Sequence, residues 1–342
     1  MTHISDMMVW IPGFIAFGLG LTLPMAVRPW LHRWNLVDIP TARSSHTHPT
    51  YRGMGLATAM AALIAYAVGL LSGLVHTDRS IALTVLAGMV ASGALGWAED
   101  YRGVSIKKRF AAQLAIGVAV TVALTVFLQT TFWWIPVGIL AIAAFINVVN
   151  FMDGVNGISG INGFVIGAFY AYAGWTNAMP WLVVGGVSVA CAYLAFLPWN
   201  IRPGKNVFLG DAGSYFLGGA IASMAVGAFL SGVYVEYLLS PVLIYLADTG
   251  FTLFRRMVRG EQWYKPHRTH VYQRLTDVGL SHLGAALTTA AFSVAITVIT
   301  IVALPYQTQN ALIAGALVIA LLTIYLLLPR IIVTLKGRHG RK

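Results

Sequence analysis

Eleven acidic residues are scattered over 342 positions, and four short segments set carboxylates among amides, glycines or cations in ways that chemistry can use. In WAEDYRGVSIKKR, the adjacent Glu99 and Asp100 are followed by Lys107, Lys108 and Arg109. Paired carboxylates suit a divalent cation, and the cations behind them suit phosphate oxygens; a solvated loop between helices is the competing account. In NVVNFMDGVNGISG, Asn147, Asn150 and Asp153 recur every three residues and so share a helix face, after which Gly154, Gly157 and Gly160 interrupt the helix around Asn156. Glycines let backbone approach a ligand closely, and polar side chains at membrane depth are expensive unless they face a cavity or a partner. Plain interhelical hydrogen bonding would use the same amides.

The third segment, PWNIRPGKNVFLGDAGSYFLGG, holds Asp211 between Gly210 and Gly213. Bare backbone N–H groups at a helix start bind phosphate, and a carboxylate there can hold a cation that bridges to it; simple helix capping is the alternative. The fourth, RRMVRGEQWYKPHRTHVYQRL, carries Arg255, Arg256, Arg259, Lys265, His267, Arg268, His270 and Arg274. Such density fits recognition of a pyrophosphate or lipid phosphate by charge-assisted hydrogen bonds, or a basic loop lying on anionic lipid. His267 and His270 lack a third soft ligand nearby, which argues against a transition-metal site. Two lesser places are Asp38, Arg43, His46 and Arg52 in the polar stretch NLVDIPTARSSHTHPTYRGMG, and Asp248 inside the apolar run PVLIYLADTG. An ionisable group within a span signals function by default, a buried ion pair being the other account.

The elements that must position these groups are membrane helices. With 58% hydrophobic residues, 10% charged residues and a mean hydropathy of +0.76, the chain is too apolar for an ordinary water-soluble domain. Its apolar runs have the ~20-residue length a helix needs to cross the hydrocarbon layer, whereas barrel strands are shorter and alternate. Eleven spans are predicted, over residues 7–27, 53–75, 81–98, 110–128, 132–149, 161–176, 181–199, 213–232, 237–254, 284–304 and 310–328. The first has neither a basic leading region nor a small-residue cleavage site, and reads as retained. The expected fold is an all-α polytopic transmembrane bundle forming a single domain over residues 1–342.

Orientation follows from the basic residues. With the N-terminus outside and the C-terminus in the cytoplasm, 21 of the 22 Lys and Arg fall inside and only Arg79 falls outside. The net charge of +11 is then a topology signal with a cytoplasmic surface that attracts anionic headgroups and nucleotide phosphates, and no nucleic-acid partner is needed. Span parity brings all four segments to that cytoplasmic side. The single Cys191 sits in an apolar run, which leaves no disulfide framework or cysteine metal cluster.

Together the four segments resemble the polyprenyl-phosphate N-acetylhexosamine-1-phosphate transferases of the glycosyltransferase 4 type, which start bacterial O-antigen, teichoic acid and peptidoglycan lipid intermediates. The resemblance runs from about residue 34 to 275; NVVNFMDGVNG and FLGDAGS are its most specific parts, supported by VDIPTARSSH and HRTHVYQRL. It implies a bundle of ten or eleven helices in the bacterial inner membrane with a cytoplasmic cleft. It also implies Mg²⁺ (Mn²⁺ as the alternative), undecaprenyl phosphate as acceptor, a UDP-N-acetylhexosamine as donor and UMP as leaving group, with a homodimer left open. By motif, Asp100 falls in the family's paired aspartates, Asp153 in its asparagine-rich motif and Asp211 in its glycine-flanked metal motif. Asp100, Glu99 and Asp153 are thus the expected catalytic groups, and Asp211, Asp153 and Asp100 the expected metal ligands. Substrate contacts are expected from His267, Arg268 and His270, which match the family's donor loop, and from Asn147, Asn150, Asn156, Lys107, Lys108, Asp38, Arg43, His46 and Asp248.

The chain departs from the family pattern twice: Glu99 stands where an aspartate is usual, and Asn156 replaces the second aspartate of DGxDG, which predicts an altered donor selectivity. The NFMDGVNG form is closer to the O-antigen-initiating members than to phospho-N-acetylmuramoyl-pentapeptide transferases. In the implied reaction the lipid phosphate attacks the sugar-linked phosphorus, and catalysis is positioning plus charge stabilisation. A phosphate monoester, with a second pKa near 6, is already largely dianionic at neutral pH, so Asp100 is expected to orient or to bind metal rather than to act as a strong base. Direct attack and an aspartyl-phosphate intermediate are both open. The principal rival is a secondary transporter, although transporters gather polar groups near the midplane rather than at helix ends. An envelope scaffold is a further rival, and a CDP-alcohol phosphatidyltransferase lacks support because its run of spaced aspartates is missing.

Overall fold

A computed structural model describes residues 8–38, 50–202, 207–262, 264, 267–303 and 308–339. In chain order the helices are α1 (Ile11–Arg33), α2 (Gly55–Leu71), α3 (Arg79–Arg102), α4 (Ile106–Phe127), α5 (Ile135–Met152), α6 (Ile158–Thr176) and α7 (Pro180–Asn200). They continue with α8 (Gly210–Leu230), α9 (Val235–Leu239), α10 (Leu243–Val258), α11 (Val271–Asp277), α12 (His282–Ala303) and α13 (Thr308–His339). Each predicted apolar run coincides with a helix, α9 and α10 sharing one run that a 3₁₀ turn over Ser240–Val242 interrupts at Pro241. Among the described residues, nine of these segments are long and apolar enough to cross a membrane, and α2 is a shorter apolar helix. The expectation of an all-α membrane bundle holds, with one addition: a two-residue antiparallel ladder pairing β1 (Val37–Asp38) with β2 (Thr50–Tyr51).

Helix starts and stops follow local chemistry. Proline sits in the first turn of α1, α5 and α7, where its missing N–H costs nothing. Gly103, just beyond α3, takes a positive φ that ends the helix.

The bundle is built around α8, whose apolar window is 89% buried, against 11% for α13. Around α8 stand α3, α5, α2 and α4, and the large core cluster runs through residues such as Met54, Val85, Ile146, Tyr193, Phe216 and Met224. A second, smaller cluster joins Ile244, Val271, Ile296 and Tyr325, so the C-terminal helices pack around α10 and α11 as a satellite. The site residues depend on this arrangement, because the C-terminal ends of α3 and α5 and the N-terminal end of α8 meet at one end of the bundle.

Candidate active site

A backbone lock brings two helix starts side by side. Phe208 N–H donates to Tyr51 O at 2.8 Å, Met54 N–H to Phe208 O at 3.2 Å and Gly55 N–H to Leu209 O at 2.7 Å, which joins the approach to α2 with the approach to α8. Into this junction α3 delivers Asp100, which is only 5% exposed. Its Oδ1 accepts from Arg52 Nε at 3.1 Å and its Oδ2 from the Ala212 N–H at 2.8 Å. A carboxylate in the first turn of α8 is well placed against the positive end of that helix. Gly210 is required here: its φ is +74°, and a Cβ would lie 2.6 Å from Asp100 Oδ2 and 2.7 Å from Gly53 N.

Glu99, one residue earlier, does something else. It accepts from Arg109 Nη1 at 2.6 Å and from the Val104 N–H, which closes the turn between α3 and α4. Lys107 and Lys108 remain exposed on the first turn of α4. The carboxylates that look paired in sequence therefore point to separate partners, Glu99 clamping a turn and Asp100 bridging α3, Arg52 and α8.

Asp211 and Asp153 are tied through α5. Asn150 donates from Nδ2 to Asp211 Oδ1 at 2.6 Å and to Ser214 Oγ at 3.0 Å, which joins the end of α5 to the start of α8. Three residues on, Asp153 caps α5 and its Oδ1 accepts from Ser159 Oγ at 2.6 Å. Burial, reinforced by the charge of Asp100, pushes the Asp153 carboxyl up to about 6 despite the Ser159 hydrogen bond. No other described residue donates to the second oxygen of Asp211 or of Asp153. Asn147 is placed otherwise: it exchanges hydrogen bonds with the buried Gln113 of α4, at 2.6 and 3.3 Å, and donates to Ala143 O. An expected substrate contact is thus an interhelical amide pair.

The basic loop is organised by a buried carboxylate. Asp248, with no exposed surface, accepts from His270 Nδ1 at 3.1 Å, the N–H groups of Val271 and Tyr272 at 2.9 and 3.1 Å, and Tyr325 OH at 3.0 Å. It anchors the start of α11. Sequence alone sets Asp248 and His270 among substrate contacts; the structure buries both, His270 to 2% exposure, because the first turn of α11 needs an acceptor and Asp248 supplies it from α10. From the anchored helix, Tyr272 OH donates to Phe151 O at 2.9 Å, with Gly154 directly beneath, where any Cβ would collide with the Tyr272 hydroxyl. The loop therefore sits against the Asp153 turn. His267 stacks on His270 at 4.9 Å between ring centres and is half-buried; burial first, then the neighbouring His270 and Arg256, holds its imidazole down to about 4, so it is neutral at pH 7. Arg268, in the approach to α11, reaches forward onto that helix, 3.3 Å from Thr276 Oγ1 and 3.7 Å from Asp277.

Comparison with known proteins bears on this geometry. The family model described as glycosyl transferase family 4 matches residues 82–229, the stretch containing Asp100, Asp153 and Asp211. The decaprenyl-phosphate N-acetylglucosaminephosphotransferase of Mycolicibacterium smegmatis is 29% identical over 305 residues, spanning 76% of this chain and 73% of that protein. The probable undecaprenyl-phosphate N-acetylglucosaminyl 1-phosphate transferase of Bacillus subtilis is 27% identical over 293 residues, 78% of each chain. A phospho-N-acetylmuramoyl-pentapeptide-transferase of Staphylococcus saprophyticus is 27% identical over 249 residues, spanning 64% of this chain and 76% of that protein.

These matches support the polyprenyl-phosphate N-acetylhexosamine-1-phosphate transferase family for this chain.

The transferase is therefore an enzyme, and the transporter reading falls. Its Asp248 has no translocation role to fill, since its hydrogen-bonding capacity is spent inside the fold. Of the remaining expected site residues, Asn156 donates its backbone N–H to His282 Nδ1 at 3.3 Å, at the same turn as Asp153. Arg43, His46 and the side chain of Asp38 lie outside the described residues. Several partners of the transferase's site were not singled out from sequence, namely Ser159, Ser214, Gln113 and Tyr272. Ser214 closes one of the two most specific motifs and Ser159 lies two residues beyond the other, and that proximity was the available signal; nothing local marked Gln113.

Proposed function

We propose that this transferase moves an N-acetylhexosamine 1-phosphate from a UDP-sugar to undecaprenyl phosphate, on the cytoplasmic face of the inner membrane, as the first step of an envelope polysaccharide such as O-antigen. An oxygen of the lipid phosphate attacks the sugar-linked phosphorus of the donor. The bond from that phosphorus to the bridging oxygen breaks, and UMP leaves with the bridging oxygen. The observation that carries this reading is the joining of Asp211 and the Asp153 turn through Asn150 at one end of the bundle, with the basic loop docked on the same turn.

Mg²⁺ fits this donor set as a two-carboxylate site completed by substrate. Among the described residues no three carboxylates or histidines converge as a cage. Asp211 and Asp153 each keep an oxygen outside the hydrogen bonds of described residues, while Asp100 has both oxygens engaged. Hard carboxylate oxygens, one or two per ion, with phosphate oxygens filling the rest, are the usual Mg²⁺ surroundings. The ion would supply charge neutralisation at the donor pyrophosphate. Asn150 orients Asp211, Asp100 fixes the α8 helix start together with Arg52, and the exposed Lys107 and Lys108 offer donors for phosphate at the mouth. Asp100 in this arrangement positions rather than ligates.

The test is turnover by the purified full chain in detergent with Mg²⁺, labelled UDP-N-acetylhexosamines and undecaprenyl phosphate, scored for labelled lipid and UMP. Asp211→Ala is expected to lower turnover about 100-fold or more while the protein remains monodisperse. Absence of product with every donor would overturn the reading, and full activity in Asp211→Ala would remove that residue from the site. Exchange of Asn156 for Asp, measured on the same donor panel, tests its selectivity role.

A further inference from the structure

We propose that the structure holds a site for the headgroup of an anionic glycerophospholipid of the surrounding bilayer, between α11 and α13 and separate from the active site. A pocket of about 420 Å³ there is lined by Arg274 and Asp277 of α11, by Val278 at its C-cap, and by Pro329, Arg330 and Val333 of α13. Arg255 lies within electrostatic reach of both Arg274 and Arg330. Arg274 and Arg330 thus bring guanidinium groups from two helices to one pocket, with Arg255 of α10, which donates from Nη2 to Thr269 O at 3.1 Å, adding positive charge nearby.

The nearby carboxylates are engaged elsewhere. Glu261 is 2.8 Å from Arg256 and 4.0 Å from Arg259, and Asp277 pairs with Arg268 at 3.7 Å. Among the described residues no carboxylate forms an ion pair with Arg255, Arg274 or Arg330. Like charges converging at a membrane interface are costly unless an anion joins them, and Arg matches phosphate by charge-assisted, two-pronged hydrogen bonding. Lys336 adds a further cation at the rim, donating to Val278 O at 2.8 Å.

A lipid, rather than a soluble anion, fits because of what lies alongside. The helix that carries Arg330 has the most exposed apolar surface of the candidate spans, with Leu317 48%, Ile324 45% and Leu327 39% exposed toward its basic end. Acyl chains can lie along this face while the phosphate reaches the arginines. The pocket is also turned away from the transfer chemistry: Tyr272 and Gln273 of α11 reach the Gly154 turn, whereas Arg274, Asp277 and Val278 face α13 on the other side of that helix.

The test uses the full-length chain in a neutral detergent, titrated with dioctanoyl phosphatidylglycerol and followed by native mass spectrometry. Arms with dioctanoyl phosphatidylcholine, inorganic phosphate and farnesyl phosphate run in parallel. One phosphatidylglycerol per chain is expected, weakened about 30-fold in Arg274→Gln/Arg330→Gln from roughly fivefold per arginine, and retained within about threefold in Arg274→Lys/Arg330→Lys, which keeps the charge. The exposed Arg330→Gln single variant, expected about fivefold weaker, serves if the double variant does not fold. Unchanged affinity in the Gln variants overturns the proposal, as does phosphatidylcholine binding equal to phosphatidylglycerol. Inorganic phosphate binding as tightly would make this a soluble-anion site, and displacement by farnesyl phosphate at equal concentration would make it part of the acceptor path; either overturns it as well.

Discussion

At the scale of single residues, two positions carry sharp expectations. Gly210 combines a positive φ with backbone and carboxylate atoms where a side chain would start, so Gly210→Ala is expected to cost roughly 2 kcal/mol of stability and to displace Asp100 from the α8 helix start. Thermal unfolding in detergent together with turnover measures both effects. Asp153 carries a pH signature. With its folded pKa raised to about 6 from an ordinary value near 4, the folded chain retains a proton that the unfolded chain releases, so stability falls as pH rises through that window. Asp153→Asn removes this slope: in chelator, the melting temperature of the native chain relative to Asp153→Asn should drop between about pH 4 and pH 7. A constant difference would contradict the burial of that carboxyl. The motifs set Asp153 and Asp211 in one expected site, and the structure ties the end of α5 that carries Asp153 to Asp211 through Asn150, whereas Arg52 was marked only as one residue of a polar stretch. Its partner Asp100 lies 48 residues away, and sequence spacing says nothing about pairs made by the meeting of helix ends.

At the scale of elements, the informative contrast lies between α5 and α11. The three-residue period of Asn147, Asn150 and Asp153 was legible as one helix face, but not what each member would meet: Gln113 on α4 for the first, Asp211 on α8 for the second. The short helix α11 was hidden in a polar stretch because its hold comes from Asp248 on another element. Replacing Asp248 by Ala orphans two backbone N–H groups, an imidazole and a tyrosine hydroxyl in a buried place, and is expected to destabilise by about 3 kcal/mol or more. Asp248→Asn, of the same shape, should fold and show a positioning defect, a KM for the nucleotide donor raised about tenfold with a smaller change in kcat. A KM that does not move would detach α11 from donor binding.

At the scale of the molecule, hydropathy alone drew the bundle, because lipid imposes one length and one polarity on every crossing helix. It could not show that α8 would be the central helix and α13 the outermost, since both contain an apolar window long enough to span; only burial tells them apart. The handedness of insertion rests on the basic residues, and it is testable on the single-cysteine chain. In a Cys191→Ser background, a cysteine at Lys107, in the exposed first turn of α4, should react with an impermeant maleimide only in inverted vesicles. A cysteine at Thr77, in the exposed turn before α3, should react only in right-side-out cells. The reverse pattern would turn the enzyme around and place its site on the other side.

The buried anchor also sets terms for how the chain is made. Asp248 enters the bilayer with α10, but Tyr325 follows 77 residues later, so at ~5–20 residues per second the ribosome leaves this carboxylate without its last donor for several seconds. During synthesis α10 is a span whose carboxyl group waits for the partners that α11 and α13 supply. A chain that stops short of α13 would leave an oxygen of Asp248 without its Tyr325 donor, so loss of the last helix is expected to loosen the anchor of α11 as well.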